Sequence, residues 1–303
     1  MSFHFIFLPC AIFLATALGF FGNFSMIYAV FKYRALRSKH GMLLCFLCLY
    51  ESIGLAYECL SAIRMLTNSS TMQRSTCFYQ VFPYIFTLTV QAVMTVMLAL
   101  DLLLLIVMPI RQLSMSYLTY AVLAHIPCVF VAAPFITIGF IDTDNTRIIA
   151  CNPPLALPPV VSEIWNYTTM GTNVAVIFIY FLVVIRLQRQ RGSNNKLSGI
   201  GIDQPSNYKK MLWSTLTLNS ISVFCWFVGA GISRLPFTTN METQELIHTY
   251  AVLPPLLIMS QNYYVYYCLS SEFRPVFQKM LSLDKKGSSI RVSPSFSGRS
   301  RPS

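Results

Sequence analysis

Charge is scarce in this 303-residue chain. Only 11% of residues are charged, 11 acidic against 22 basic, where a water-soluble domain carries about 25%. The shortage excludes an ordinary soluble fold. A mean hydropathy of +0.57 with 55% hydrophobic residues excludes a disordered chain, which needs low hydrophobicity. Enzyme signatures are missing as well. The four histidines, His4, His40, His125 and His248, are scattered rather than clustered as zinc ligands would be. There is no Gly-x-Ser-x-Gly elbow, no phosphate loop and no His-Glu-x-x-His pair. Neither an enzyme nor a cofactor is expected. Alternating ten-residue segments are lacking, which sets aside a β-barrel. So are internal repeats, which tells against a secondary transporter, the alternative from outside the receptor class.

What is present is long uncharged runs. Residues 1–31, 75–100, 112–141, 164–185, 211–233 and 246–271 contain no Asp, Glu, Lys or Arg. A spanning helix needs about 20 apolar residues, so each run can cross a bilayer. A further span covers 41–66, apolar except for Glu51, Glu58 and Arg64. Half of it could not cross alone, so it is read as one helix with buried acids. In lipid the backbone must satisfy itself, which makes these segments helices. The expected spans are 5–31, 41–66, 77–108, 115–139, 164–187, 209–234 and 246–269, an all-α bundle of seven.

The net charge of +11 is placed, not spread. With the N-terminus outside, only Arg64, Arg74, Arg147 and Arg234 of the 22 basic residues lie outside. The positive-inside rule therefore sets the N-terminus extracellular and the C-terminus cytoplasmic. The basic excess reads as orientation and contact with membrane lipids, with no nucleic-acid partner. The first run lacks a basic leader and is too long for a signal core, so it is expected to remain as a signal-anchor.

After the seventh span, Phe273, Val276, Phe277 and Met280 recur at i, i+3, i+4 and i+7. That pattern predicts an amphipathic helix over 271–281 lying on the inner membrane face, with Pro275 in its first turn. Two units follow: a membrane domain over 1–281, and a basic, Ser-rich tail over 282–303 expected to be disordered. The loop 188–208 is rich in Gly, Ser, Asn and Gln and is expected to be flexible.

Of nine cysteines, Cys77 and Cys151 stand at the outer ends of spans or loops. Both would face the oxidising side, where a disulfide would pin the second outer loop over the bundle mouth. Two unpaired thiols are the alternative. Glycosylation sequons occur at Asn68, close to span two, and at Asn166. Asn23-Phe24-Ser25 lies inside the membrane and cannot be modified.

Several motifs fall in a fixed order. Gly22-Asn23 lies in span one, Leu49-Tyr50-Glu51 in span two, and Cys77 at the start of span three. Asp101 follows Cys77 by 24 residues and Pro109 comes eight later. Cys225-Trp226 lies in span six, Asn262-Tyr263-Tyr264-Val265-Tyr266 in span seven, and Phe273 beyond it. Together they resemble the rhodopsin-like G-protein-coupled receptors along the whole chain. The first inner loop, YRALRSKHGMLLC, and the short N-terminus are similar to the nematode chemoreceptors of serpentine receptor class sx.

The resemblance implies a chemosensory receptor that binds an extracellular small molecule or peptide within the bundle. It implies signalling to a heterotrimeric G protein from a multi-pass position in the plasma membrane, with the sensory-neuron cilium as the expected site. A neuropeptide receptor is the alternative within the class, since Asp142, Asp144, Glu163, Glu242 and Glu245 would attract a basic peptide. The ligand pocket is expected at Tyr84, Glu58, Trp226, Phe227 and Tyr250. Tyr84 stands where similar amine receptors carry an acid, which argues against a biogenic amine.

Asn23, Glu51, Gln91, Asp101, Asn262 and Tyr266 are expected to form the polar network of activation, with Asn219 a further member. Around Glu51 that network could hold water or a sodium ion; the alternative is a protonated Glu51 bonded to amides. Glu58 either lines the pocket or pairs with Arg64. There are departures from the family pattern. Leu102 replaces the arginine expected after Asp101, leaving Asp101 to be protonated or to pair with Arg111. Val228 and Tyr263 replace two kink-forming prolines, and Pro254-Pro255 are expected to supply a kink instead.

Overall fold

The computed structural model describes residues 3–107, 115–194, 216–229 and 250–281. Helix α1 (Phe3–Lys32) leads through a short 3-10 turn to α2 (Lys39–Leu66), and strand β1 (Met72–Gln73) precedes α3 (Arg74–Val107). Helix α4 (Tyr117–Asp142) is followed by strand β2 (Arg147–Ile148), the short α5 (Pro153–Ala156) and α6 (Pro159–Asn194). Helix α7 (Leu216–Gly229) comes next. Helices α8 (Leu253–Ser260), α9 (Asn262–Leu269) and α10 (Phe273–Met280) complete the described chain.

Among the described residues, α1, α2, α3, α4 and α6 are long and apolar enough to cross a membrane, and α7 is a shorter apolar helix. The rest of the sixth expected span lies outside the described residues, as do 246–249 of the seventh. Large apolar side chains point outward, among them Phe130, Leu118 and Ile141. In water this would be an aggregation surface; in a bilayer it is the face that lipid wets.

Helix α3 is the central post, packed against α2, α4, α5 and α6, while α1 packs on α2 and α8. Helix starts follow local chemistry. Ser38 accepts the Gly41 N–H at 3.0 Å and Ser116 accepts the Thr119 N–H at 3.1 Å, each satisfying a donor that the first turn cannot. Helix α2 ends in a left-handed residue, Asn68 at φ 54°. The Ser69 N–H reaches the Arg64 carbonyl at 2.9 Å and the Asn68 N–H reaches that of Met65 at 3.3 Å, a Schellman cap with Asn where Gly is usual.

The fold departs from the expected spans and loops in three places. Helix α6 runs from Pro159 to Asn194, past both expected limits of 164 and 187. Proline is suited to the first turn, and Gln188, Arg189, Gln190 and Arg191 are good helix formers that carry the helix past 187. Pro254 and Pro255 open α8 rather than kink a continuous helix, for the same first-turn reason; the discontinuity falls at Gln261, between α8 and α9. The second outer loop contains β2, antiparallel to β1 with Met72 opposite Ile148 and Gln73 opposite Arg147. The amphipathic helix forms over Phe273–Met280 with Phe273, Val276 and Phe277 buried. The loop from 195 and the tail 282–303 lie outside the described residues.

Candidate functional site

Two ends of the bundle are named by what they carry: the disulfide end and the tail end. At the disulfide end Cys77 and Cys151 are bonded, with Cα atoms 5.5 Å apart. This holds the loop after β2 against the top of α3. Ile148, Ala156 and Leu157 of that loop sink into an apolar cluster with Phe78, Tyr84, Ile85 and Leu256. Arg74 pairs with Asp144, whose carboxyl is held below its ordinary value by the Thr146 N–H and hydroxyl and by the Arg74 charge. Of the acids considered for peptide attraction, Asp144 is thus engaged within the loop, Tyr167 donates to Glu163 at 3.3 Å, and Glu242 and Glu245 lie outside the described residues.

Below this plug, Tyr84 donates to the carboxylate of Glu58, and both are buried. Tyr57 stacks flat on Tyr84, ring centres 5.3 Å apart and planes 2° from parallel. The expected alternative, a Glu58–Arg64 pair, does not form: Arg64 donates instead to Gln80. The six-residue spacing puts Arg64 off the Glu58 face, while α3 presents Tyr84 directly. Tyr250 packs against the same cluster, its ring 6.4 Å from that of Phe7. Phe227, expected in the pocket, is 43% exposed; as the neighbour of Trp226 its side chain is turned by about 100° on the helix.

Trp226 lies deeper, in the wall of a small cavity with Glu51, Gln91, Asn173 and Ser222. The space is about 20 Å³, room for one water or small ion, since a buried water needs ~10–15 Å³. Asn262 donates to the Glu51 carboxylate. Two carbonyl oxygens here, Gln91 Oε1 and Asn262 Oδ1, are buried without a hydrogen-bond partner among the described residues. Buried acceptors in this state are expected to meet water or a cation, which suits the expected hydrated or sodium-bearing cluster. Asn23 stands nearby but donates to the Met259 carbonyl at 3.1 Å, and Asn219 donates to Tyr180 at 2.6 Å. The network is therefore two hubs rather than one ring. Gln261 ties the sixth and seventh spans by donating to Ser222 at 2.7 Å.

The tail end carries a contact that the sequence did not reveal. His40, at the start of α2, places Nδ1 3.1 Å from Asp101 Oδ2 and Nε2 3.2 Å from the Tyr266 hydroxyl. Tyr120 of α4 donates to the other Asp101 oxygen. All four residues are buried. Four elements, α2, α3, α4 and α9, meet at one imidazole and one carboxylate. Glu272 stands by: burial pushes its carboxyl up, and His40 partly offsets that. Arg111, the partner considered for Asp101, lies outside the described residues. Leu102 is fully buried against Val176, Ile179, Tyr180 and Val183, so an apolar α3–α6 seam occupies the place expected of an arginine. His40 was missed because it lies 61 positions from Asp101, and nothing local links them.

Asn68 is exposed at the end of α2, accessible for modification, whereas Asn166 is half-buried in α6. Among the described residues no group of His, Cys, Asp and Glu could hold a metal ion by itself. No curated protein matches the chain. The model of one family, the serpentine-type seven-transmembrane G-protein-coupled chemoreceptor Srsx, matches residues 16–281. That stretch holds both polar hubs, the disulfide and all seven spans from the middle of α1 onward, and the chain belongs to this family of membrane receptors.

Proposed function

We propose that the protein is a chemosensory receptor that binds a small molecule or peptide near Glu58, Tyr84 and Trp226 and passes the signal to a heterotrimeric G protein. The disulfide end faces outside and the tail end faces the cytoplasm, in a multi-pass plasma membrane position such as a sensory cilium. One observation carries the reading: His40 joins Asp101 to Tyr266. It ties α2 to α3 and α9 where coupling would need the tail end to open. The tie is a set of hydrogen bonds and can break and reform. The disulfide end, closed covalently, stays fixed.

In this mechanism the ligand favours a state in which the tail-end contacts are lost. The cavity between Trp226 and Glu51 lies between the two ends, so a shift of Trp226 alters the surroundings of the Asn262–Glu51 contact. That contact belongs to the same helix, α9, as Tyr266. The missing arginine is compensated in this reading by the imidazole for restraint, and by basic residues of the third loop for G-protein contact. The neuropeptide alternative loses support because Asp144 and Glu163, two of the acids that would attract a basic peptide, already have partners.

The test needs no ligand. Basal nucleotide exchange is measured in membranes holding receptor and heterotrimeric G protein, for wild type and His40→Ala. A rise in the variant is expected. No exchange with any G protein in either form, at matched expression, would remove coupling from the reading. Imaging of a C-terminally tagged chain tests the location: accumulation in sensory cilia is expected, and an intracellular store would speak against it.

A further inference from the structure

The last third of α2 carries one cation with no acid beside it. Arg64 donates to Gln80 Oε1, and among the described residues no carboxylate lies within ion-pair distance of it. Glu58 is taken by Tyr84, and Asp144 by Arg74. Since Gln80 Oε1 accepts from Arg64, the Gln80 amide N–H groups are directed to other acceptors. Arg64 has further N–H donors in a planar fork, which suits a phosphate.

Beside this pair runs a groove. Ala56, Tyr57, Leu60 and Arg64 follow one face of α2, and Gln80 closes it from α3. Its volume is about 450 Å³, within the ~300–1,000 Å³ usual for a bound small molecule. The groove opens on the side of the bundle, where Leu60, Ile63, Leu66 and Tyr79 are exposed and lipid is the solvent. Its floor is apolar. The cationic end lies two residues before α2 finishes at Leu66, and the ends of a spanning helix are where the bilayer's headgroups are met. Apolar length and a phosphate-seeking end therefore lie in the order in which a phospholipid presents its own.

We propose that this groove binds a phospholipid of the surrounding leaflet, its phosphate on Arg64 and Gln80 and an acyl chain along Leu60, Tyr57 and Ala56. The lipid braces the Tyr57–Tyr84 stack from the membrane side. The inference needs only that the chain spans a membrane, and stands apart from the ligand proposed above.

Native mass spectrometry and thermal denaturation of the full-length receptor in uncharged detergent test it. Three probes are added: dioleoyl phosphatidylglycerol, dioleoylglycerol and glycerol phosphate. Phosphatidylglycerol is expected to be retained at one tight molecule per receptor and to raise the thermal midpoint by several degrees. The other two, lacking phosphate or chains, are expected to do neither. Arg64→Gln should weaken retention about tenfold. Leu60→Trp should do the same by filling the groove with Arg64 intact, which keeps the test decisive if Arg64→Gln folds poorly. Arg147→Gln, a cation on the nearby strand, should retain the lipid. Wild-type retention by both groove variants would overturn the proposal. So would equal binding of dioleoylglycerol, or saturable binding of glycerol phosphate alone, which would mark a soluble phosphate as the occupant.

Discussion

The two ends of the bundle are held by different chemistry. At the disulfide end a covalent bond, a two-residue strand pair and a buried apolar plug fix the loop after β2 on α3. At the tail end the helices meet through His40, Asp101, Tyr120 and Tyr266, with Leu102 seating α3 against α6. A covalent clamp has one arrangement. A cluster of hydrogen bonds between four helices has at least two, because each partner can be exchanged for water. The contrast teaches where a signal can be received without deformation and where it can be expressed as movement.

The largest effect is expected from a charge placed in the tail-end seam. Leu102→Arg restores the residue seen in similar receptors, yet here the site is fully buried among apolar side chains. An uncompensated buried charge costs about 3–5 kcal/mol. Lower expression and a lower thermal midpoint are expected, with no gain in basal exchange; a stable, more active variant would show that the seam opens readily. Next comes the clamp. Cys77→Ser is expected to cost about 2–5 kcal/mol and to reduce surface expression, measured by flow cytometry of a tagged chain. Full surface expression would demote the disulfide from clamp to ornament.

A smaller effect is expected from His40→Ala, about 1–3 kcal/mol, because Asp101 and Tyr266 lose a buried partner. That loss falls on the restrained state, so basal exchange should rise by about 5-fold to at most about 150-fold. Equal basal exchange at equal stability would place the restraint elsewhere. Smallest is the acid dependence of the outer loop. The Asp144 carboxyl is depressed by Thr146 and Arg74, so its contribution is present above the ordinary carboxylate value. It is lost as pH falls through the depressed one. The protection of the Thr146 amide against hydrogen exchange, relative to its intrinsic rate, should fall below about pH 4 in wild type, and Asp144→Asn should remove that step.

Much of the architecture was legible because lipid imposes a simple rule. A run free of Asp, Glu, Lys and Arg must be a helix if it crosses, so six spans stood out from charge alone, and Glu51 and Glu58 were right to be kept inside a seventh. The disulfide was legible because topology left two cysteines on one side. Lateral geometry was less so. Phe227 adjoins Trp226 in the chain, yet neighbouring residues on a helix face different ways, and Phe227 is exposed. Arg64 is close to Glu58 along the chain, yet the partners of both, Gln80 and Tyr84, come from α3. His40 could not be matched to Asp101, since their meeting depends on how α2 and α3 cross. The extended α6 and the strand pair depend on local propensities that hydropathy does not register.

The bond between Cys77 and Cys151 closes a ring of 74 positions that contains nearly all of α3 and all of α4. A force applied to either terminus cannot draw those helices out one after the other. Under a pulling probe they should leave the bilayer as a single event, and roughly 250 Å of extended chain should stay hidden until a reductant is added. To the machinery that extracts and degrades membrane proteins, the receptor is thus a string with a knot-like bulk in its first half. Retrieval is expected to stall there unless the bond is reduced first.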